Sequence, residues 1–170
     1  VRKTNFSLDG TVLPESAVPG WTKNGTQTSD ITSVPGFIYI NDASAVDRVE
    51  YKISGANTEL NVDGRRKSVV FEAGIQILSR TASAGALNEV AYMRVRDGSR
   101  SIIVAVTHDG LNGGLAIAAS ETFGAVLAGT VVTPNVNFST RPRYIRIEKE
   151  ADREVRVYLD RELLYTIDWT

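Results

Sequence analysis

With 170 residues, 42% of them hydrophobic, the chain is long enough to bury most of its apolar surface, and a single domain over 1–170 is the expectation. It holds no cysteine, which excludes disulfide staples and thiolate metal sites. Its 19 basic and 20 acidic residues are interspersed in sign, so neither nucleic acid nor anionic lipid is an expected partner.

Apolar runs such as 102–106 are only as long as a strand, far below the roughly 20 residues of a spanning helix, and membrane insertion is not expected. The chain starts at Val1 without a charged-then-apolar leader, as a processed protein or a domain cut from a larger one would. Residues 1–13 alternate loosely around Phe6 and Leu8. Pro14 and Pro19-Gly20 then exclude a helix or a central strand. Trp21 follows, either a core plug or a stacking platform, and the polar stretch to Ser33 suits a surface loop or edge strand.

Short strands are predicted at 37–40, around Val49, Tyr51 and Ile53, and at 60–62, with the basic triplet Arg65-Arg66-Lys67 read as a solvated turn. Residues 69–79 form a longer β-rich segment, and Gly74 within it suggests a bulge or a close backbone approach. Next comes a hairpin over 90–107. An Asp97-Gly98 turn would set Arg96 opposite Ser99, Arg94 opposite Ser101 and Tyr92 opposite Ile103. One face then carries Ala91, Met93, Val95, Ile102, Val104 and Val106 toward the core. The other carries Tyr92, Arg94, Arg96, Ser99, Ser101, Ala105 and Thr107 as a polar platform with one aromatic ring.

Residues 108–114 read as a flexible loop, 115–119 and 125–132 as apolar strands, and 134–142 as a connector. The last stretch, RYIRIEKEADREVRVYLDRELLYTIDW, is a three-strand meander. Arg143, Ile145, Ile147 and Lys149 alternate with their neighbours, as do Val155, Val157 and Leu159. Asp160-Arg161 turns the chain, and Leu163, Tyr165, Ile167 and Trp169 line one side of the last strand. No convincing amphipathic helix or fixed-period repeat is present. Around a dozen short strands between turn signals indicate an all-β, antiparallel two-sheet β-sandwich.

The meander resembles the late strands of concanavalin A-like lectin/glucanase domains, particularly the laminin-G-like type, through Tyr144, Ile145, Arg146, Val155, Val157, Tyr158, Leu159, Asp160 and Leu163. Arg161 stands where that pattern has glycine, which implies a less ideal turn or a longer loop. The resemblance implies a jelly-roll sandwich over most of the chain, with the last strand beside Phe6. It also implies, by analogy, a sugar-binding or adhesive role on an extracellular, cell-surface or virion protein.

Glycoside hydrolysis needs two carboxylates across a cleft, roughly 5 to 9.5 Å apart. The Glu-x-Asp-x-Glu run of the related glucanases is missing, and Glu148 and Glu150 stand on one strand with Lys149 between them, which argues against an enzyme. His108, the lone histidine, has no nucleophile elbow to serve. No cofactor is expected. Calcium would draw on Asn41, Asp42, Asp97, Asp109 and Asn112, each equally explained by turn chemistry.

A sugar site needs forked donors, acceptors and an aromatic surface, which Tyr92, Arg94, Arg96 and Ser101 supply, with Asn88, His108 and Asp109 at the rim. A solvated sheet face explains the same residues. The expected function is therefore a non-catalytic module whose partner is a glycan or polysaccharide. The alternative is a structural or protein-interaction domain that meets neighbouring domains or further copies of itself, and a glycan-active enzyme ranks below both.

Overall fold

The computed structural model describes residues 21–24, 30–34, 37–41, 50–53, 69–78, 88–97, 100–108, 113–118, 130–150 and 154–168. Among them are twelve strands and no helix, the all-β class that the period-two patterning implies. The chain divides into two compact units, Val1–Val62 and Asp63–Thr170.

In the first unit, β1 (Trp21–Asn24) pairs antiparallel with β4 (Glu50–Ile53), Trp21 opposite Ile53. There β2 (Asp30–Val34) pairs with β3 (Phe37–Asn41), and Val34 opposite Phe37 leaves only Pro35-Gly36 between the strands. Phe6, the strand expected at 60–62 and the 65–67 triplet lie outside the described residues, as does the side chain of Trp21.

The second unit contains two four-stranded antiparallel sheets. One has β5 (Val69–Ile75), β10 (Arg143–Glu150), β11 (Glu154–Leu159) and β12 (Glu162–Asp168) in the order β12-β11-β10-β5. The other runs β6 (Asn88–Asp97), β7 (Arg100–His108), β8 (Gly113–Ala118), β9 (Thr130–Val136) in sequence order. Ile145, Ile147, Val155 and Val157 from the first sheet and Ile102, Val104, Val106, Leu115 and Ile117 from the second form one hydrophobic cluster, which gives a sandwich-like arrangement.

The meander follows its alternation closely. Ile145, Ile147 and Lys149 of β10 are buried, as are Val155, Val157 and Leu159 of β11, while their neighbours in each strand are more exposed. Lys149 is 2% exposed although charged, because it ends a row that faces the core. In β12 the inward row differs from the expected one. A register shift between Val157 and Tyr158 sets Tyr165 opposite Val157 and Leu163 opposite Tyr158, so Leu164 is an extra residue. Leu164 packs on the core and Leu163 is 50% exposed. Tyr165 also packs there, whereas Trp169 lies outside the described residues.

The β11–β12 turn is tight despite its missing glycine: Leu159 pairs with Glu162, and Asp160 and Arg161 take φ of 49° and 77°. Asp160 anchors it. Its amide donates to the Tyr144 carbonyl over 2.8 Å, and its carboxylate accepts from the Tyr144 amide at 2.9 Å and Arg141 at 3.2 Å. Arg143 Nε adds a charge contact at 2.6 Å. Arginine gains nothing comparable from its left-handed backbone. Arg161→Gly is therefore expected to raise stability by about 0.5 to 1 kcal/mol in urea melts, the strain relieved exceeding the entropy glycine adds.

Three further expectations change. The hairpin's last pair is Asp97 with Arg100, so Arg96 meets Ser101, Arg94 meets Ile103 and Tyr92 meets Ala105. This two-residue slip preserves every face, and the core row Met93, Ile102, Val104 and Val106 is buried as expected. Pro134 belongs to strand β9 rather than to a connector. It is tolerated because β9 is the last strand of its sheet and its register with β8 shifts twice. Asn135 beside it takes a φ of 62°. Gly113 and Gly114, read as flexible loop, are buried residues of β8.

Gly74 pairs regularly with Tyr144 and makes no bulge. A Cβ there would stand 3.2 Å from Tyr144 Cε1, so the glycine is where the tyrosine ring beds against the neighbouring strand.

Candidate functional site

The hairpin β6–β7 distributes the expected sugar site along its length. Arg96 stands opposite Ser101 near the turn, and Asn88 stands opposite His108 at the far end. Seven residues of β7 separate the two pairs, about 23 Å. By backbone alternation, position 108 continues the row of Ile102, Val104 and Val106, whereas position 101 precedes Ile103, Ala105 and Thr107 in the other row. Asp109 lies outside the described residues, as do Asp42 and Asn112 of the calcium candidates, while Asn41 and Asp97 end β3 and β6. Among the described residues no group of three or more His, Cys, Asp or Glu is arranged to hold a metal.

Between those pairs the row is buried at Ile103, Ala105 and Thr107 and part-exposed at Tyr92 and Arg94. Ile103 is 1% exposed, Ala105 and Ala116 are fully buried, and half-buried Tyr92 packs against them. Arg94 is half-buried too. The small residues Ala105 and Ala116 mark close packing rather than a solvated face. Thr107, in the same row, is buried and its Oγ1 has no hydrogen-bond partner. Thr107→Val keeps the shape and removes the orphaned hydroxyl, and is expected to raise stability by about 1 kcal/mol in denaturant titrations.

A different surface carries exposed chemistry. The outer face of the β12-β11-β10-β5 sheet is formed by the residues that alternate with the buried rows. Glu72, Arg146, Tyr158 and Leu163 stand abreast across its strands, as do Val70, Glu148, Arg156 and Thr166, and then Glu150, Glu154 and Asp168. Tyr144, 52% exposed, lies at one end against Gly74.

Charge pairs pin this face. Arg146 bonds Glu148 and reaches Glu72 at 3.9 Å, and its guanidinium carbon lies 6.0 Å from the centre of the Tyr158 ring, at the outer limit of a cation–π contact. Arg156 bonds Glu154 and meets Glu150 at 2.9 Å. Its hydrogen bond to Glu154 raises its pKa above an already high value, so it is always charged. Glu148 and Glu150 thus lie side by side on an open face, each held by an arginine. Hydrolysis requires carboxylates flanking a bond in a cleft.

Compared with known proteins, the chain matches no family model, no curated relative and no solved structure. The site therefore rests on its own geometry. Its alternation is legible in β10, where Tyr144, Arg146, Glu148 and Glu150 share a face. That Arg146 meets Tyr158 and Glu148 meets Arg156 depends on the hairpin register, which could have been counted outward from 151–153.

Proposed function

We propose that the protein is a non-catalytic carbohydrate-binding or adhesion module built on a concanavalin A-like, laminin-G-like jelly-roll sandwich, and that it works outside the cell, on a cell surface or on a virion. The observation that carries this reading is the outer face of the meander sheet, where Tyr144 and Tyr158 stand among arginine–carboxylate pairs. A sugar ring has an apolar face and a rim of hydroxyls. Tyrosine rings match the first, and guanidinium and carboxylate groups held in place by each other match the second at little ordering cost.

The Tyr92 hairpin remains a second candidate surface. A glycan array followed by calorimetry, with and without EDTA, tests the reading. Wild type should bind at least one glycan family, and Tyr144→Ala and Tyr158→Ala should each weaken it about tenfold with the circular dichroism spectrum unchanged, as expected on losing a stacked ring. Arg94→Ala tests the hairpin in parallel. Absence of glycan binding above background would leave the structural or protein-interaction reading. That alternative is favoured by exposed Val70 and Leu163, at 56% and 50%, on the same face, and it expects self-association by light scattering.

A further inference from the structure

We infer that two copies of the chain pair their β5 strands antiparallel about a two-fold axis at Gly74, joining two four-stranded sheets into one of eight strands. Such a dimer is independent of glycan binding. A sheet edge displays unpaired backbone donors and acceptors, and proteins blunt such edges with bulges, prolines or charge. In unit Asp63–Thr170, β12 carries a register shift and acidic ends at Glu162 and Asp168, β9 holds Pro134 and two shifts, and β6 shifts between Glu89 and Ala91. Edge strand β5 has none of these. It pairs with β10 from Val69 to Ile75 without interruption, and Glu72 is the one charged residue of 69–78.

The extended backbone continues past the end of β5, since Ile77 packs on the same core as Phe71, Ala73 and Ile75. Ile77 gives its amide to the Phe138 carbonyl, on the link that leads into β10. Successive amides of an extended chain point to opposite sides, so those of Val70, Glu72, Gly74, Gln76 and Leu78 point toward the edge that no described strand pairs.

The order of residues identifies the occupant as a second copy. A two-fold contact must be self-complementary, residue i meeting j while j meets i. With Gly74 opposite its own copy, Val70 meets Leu78, Phe71 meets Ile77, Glu72 meets Gln76 and Ala73 meets Ile75. Apolar residues thus face apolar ones, and the carboxylate faces an amide. Moving the axis to Glu72 would instead set two carboxylates against each other. Of the four exposed large apolar residues among those described, Val70, Leu78 and Tyr144 gather at this edge, with Val70 and Leu78 56% and 63% exposed. Pairing covers each of the first two with the other. The Tyr144 ring beds on Gly74, so glycine at the axis lets the rings of both copies approach with no side chain between them. Gln76 has two amide N–H groups and gives one to the Ser139 carbonyl, leaving the second to reach the half-exposed carboxylate of Glu72 in the other copy.

Sedimentation velocity on the full chain at micromolar concentration tests this, and the expected species has twice the 18.5 kDa mass of one chain. Gln76→Glu places like charges opposite each other twice per dimer and should weaken it about tenfold, whereas Gln76→Lys should hold or tighten it at low salt. Both variants lose the amide that bonds Ser139, so the difference between them reports the register. The chain has no cysteine, so Val70→Cys mixed with Leu78→Cys should oxidise to a covalent dimer, and neither alone should. A wild-type monomer overturns the inference, and so does a dimer that responds equally to both charges or links Val70→Cys to itself. The wild-type mass decides even if a variant fails to fold. A monomer that binds glycan removes this inference alone, and a dimer that binds none removes the glycan-binding reading alone.

Discussion

Replacing Phe138 with alanine is expected to lower stability by about 4 kcal/mol, well within the range for deleting a buried aromatic ring. Phe138 is fully buried in the cluster shared by the two sheets of unit Asp63–Thr170, yet it lies on the link between β9 and β10. Links ordinarily relax around a deletion, but this backbone is held on both sides of the ring. The Ile77 amide donates to the Phe138 carbonyl over 3.0 Å, and Gln76 Nε2 donates to the Ser139 carbonyl over 3.0 Å. Asn137 Oδ1 accepts from the Ser139 and Thr140 amides at 2.9 and 3.2 Å.

With the chain fixed on both sides, the space vacated by the ring should remain a cavity instead of collapsing, and the cavity adds to the lost transfer energy. Chemical denaturation measures the loss, and Phe138→Leu should recover more than half of it. A loss below about 1 kcal/mol for the alanine variant would mean that the link moves in to fill the gap.

The same residue marks the limit of what local pattern reveals. Strands β10 and β11 are legible in the sequence because both bury every second residue, a regularity strong enough to carry Lys149 inside. Phe138 sits among Asn, Ser, Thr and Pro, whose turn chemistry marks a connector, and nothing local reveals that the connector's one large ring closes the core. The β12 bulge is hidden for a similar reason. Leu163 and Leu164 are identical side chains in adjacent positions, so only the pairing with Tyr158 and Val157 decides which faces inward.

The candidate site divides along the same line. Which residues share a strand face follows from alternation, and the β6–β7 faces survive a two-residue slip in register because the period is two. Whether a face is covered follows from packing between segments far apart in the chain. Tyr92 and Arg94 read as a solvated platform, whereas the row they share with Ile103 and Ala105 is largely buried. The Tyr144 face belongs to the stretch whose strand pattern is plainest, a pattern that speaks for fold rather than for a site, yet this face carries the exposed Tyr144 ring and the charge pairs.

Two glycines test whether close approach or backbone freedom explains their presence. Gly113→Ala is expected to cost about 3 kcal/mol, as overpacking a filled core does. An added Cβ would stand 2.6 Å from the Val136 carbonyl oxygen and 2.7 Å from Phe138 Cδ2. The carbonyl is main chain on the paired strand, beside a register shift, and cannot yield without disturbing β9. Gly74→Ala meets the Tyr144 ring at 3.2 Å, but that ring is 52% exposed and free to swing outward, so stability should change by less than about 0.5 kcal/mol. On the glycan-binding reading proposed above, its effect should appear in glycan affinity, through displacement of the ring. Combining Gly113→Ala with Phe138→Leu separates the two clashes. If the ring is the main obstacle, the double variant is much more stable than the sum of the single losses implies. If the carbonyl is, the losses add. The carbonyl contact is shorter and less yielding, so near-additivity is the expected result.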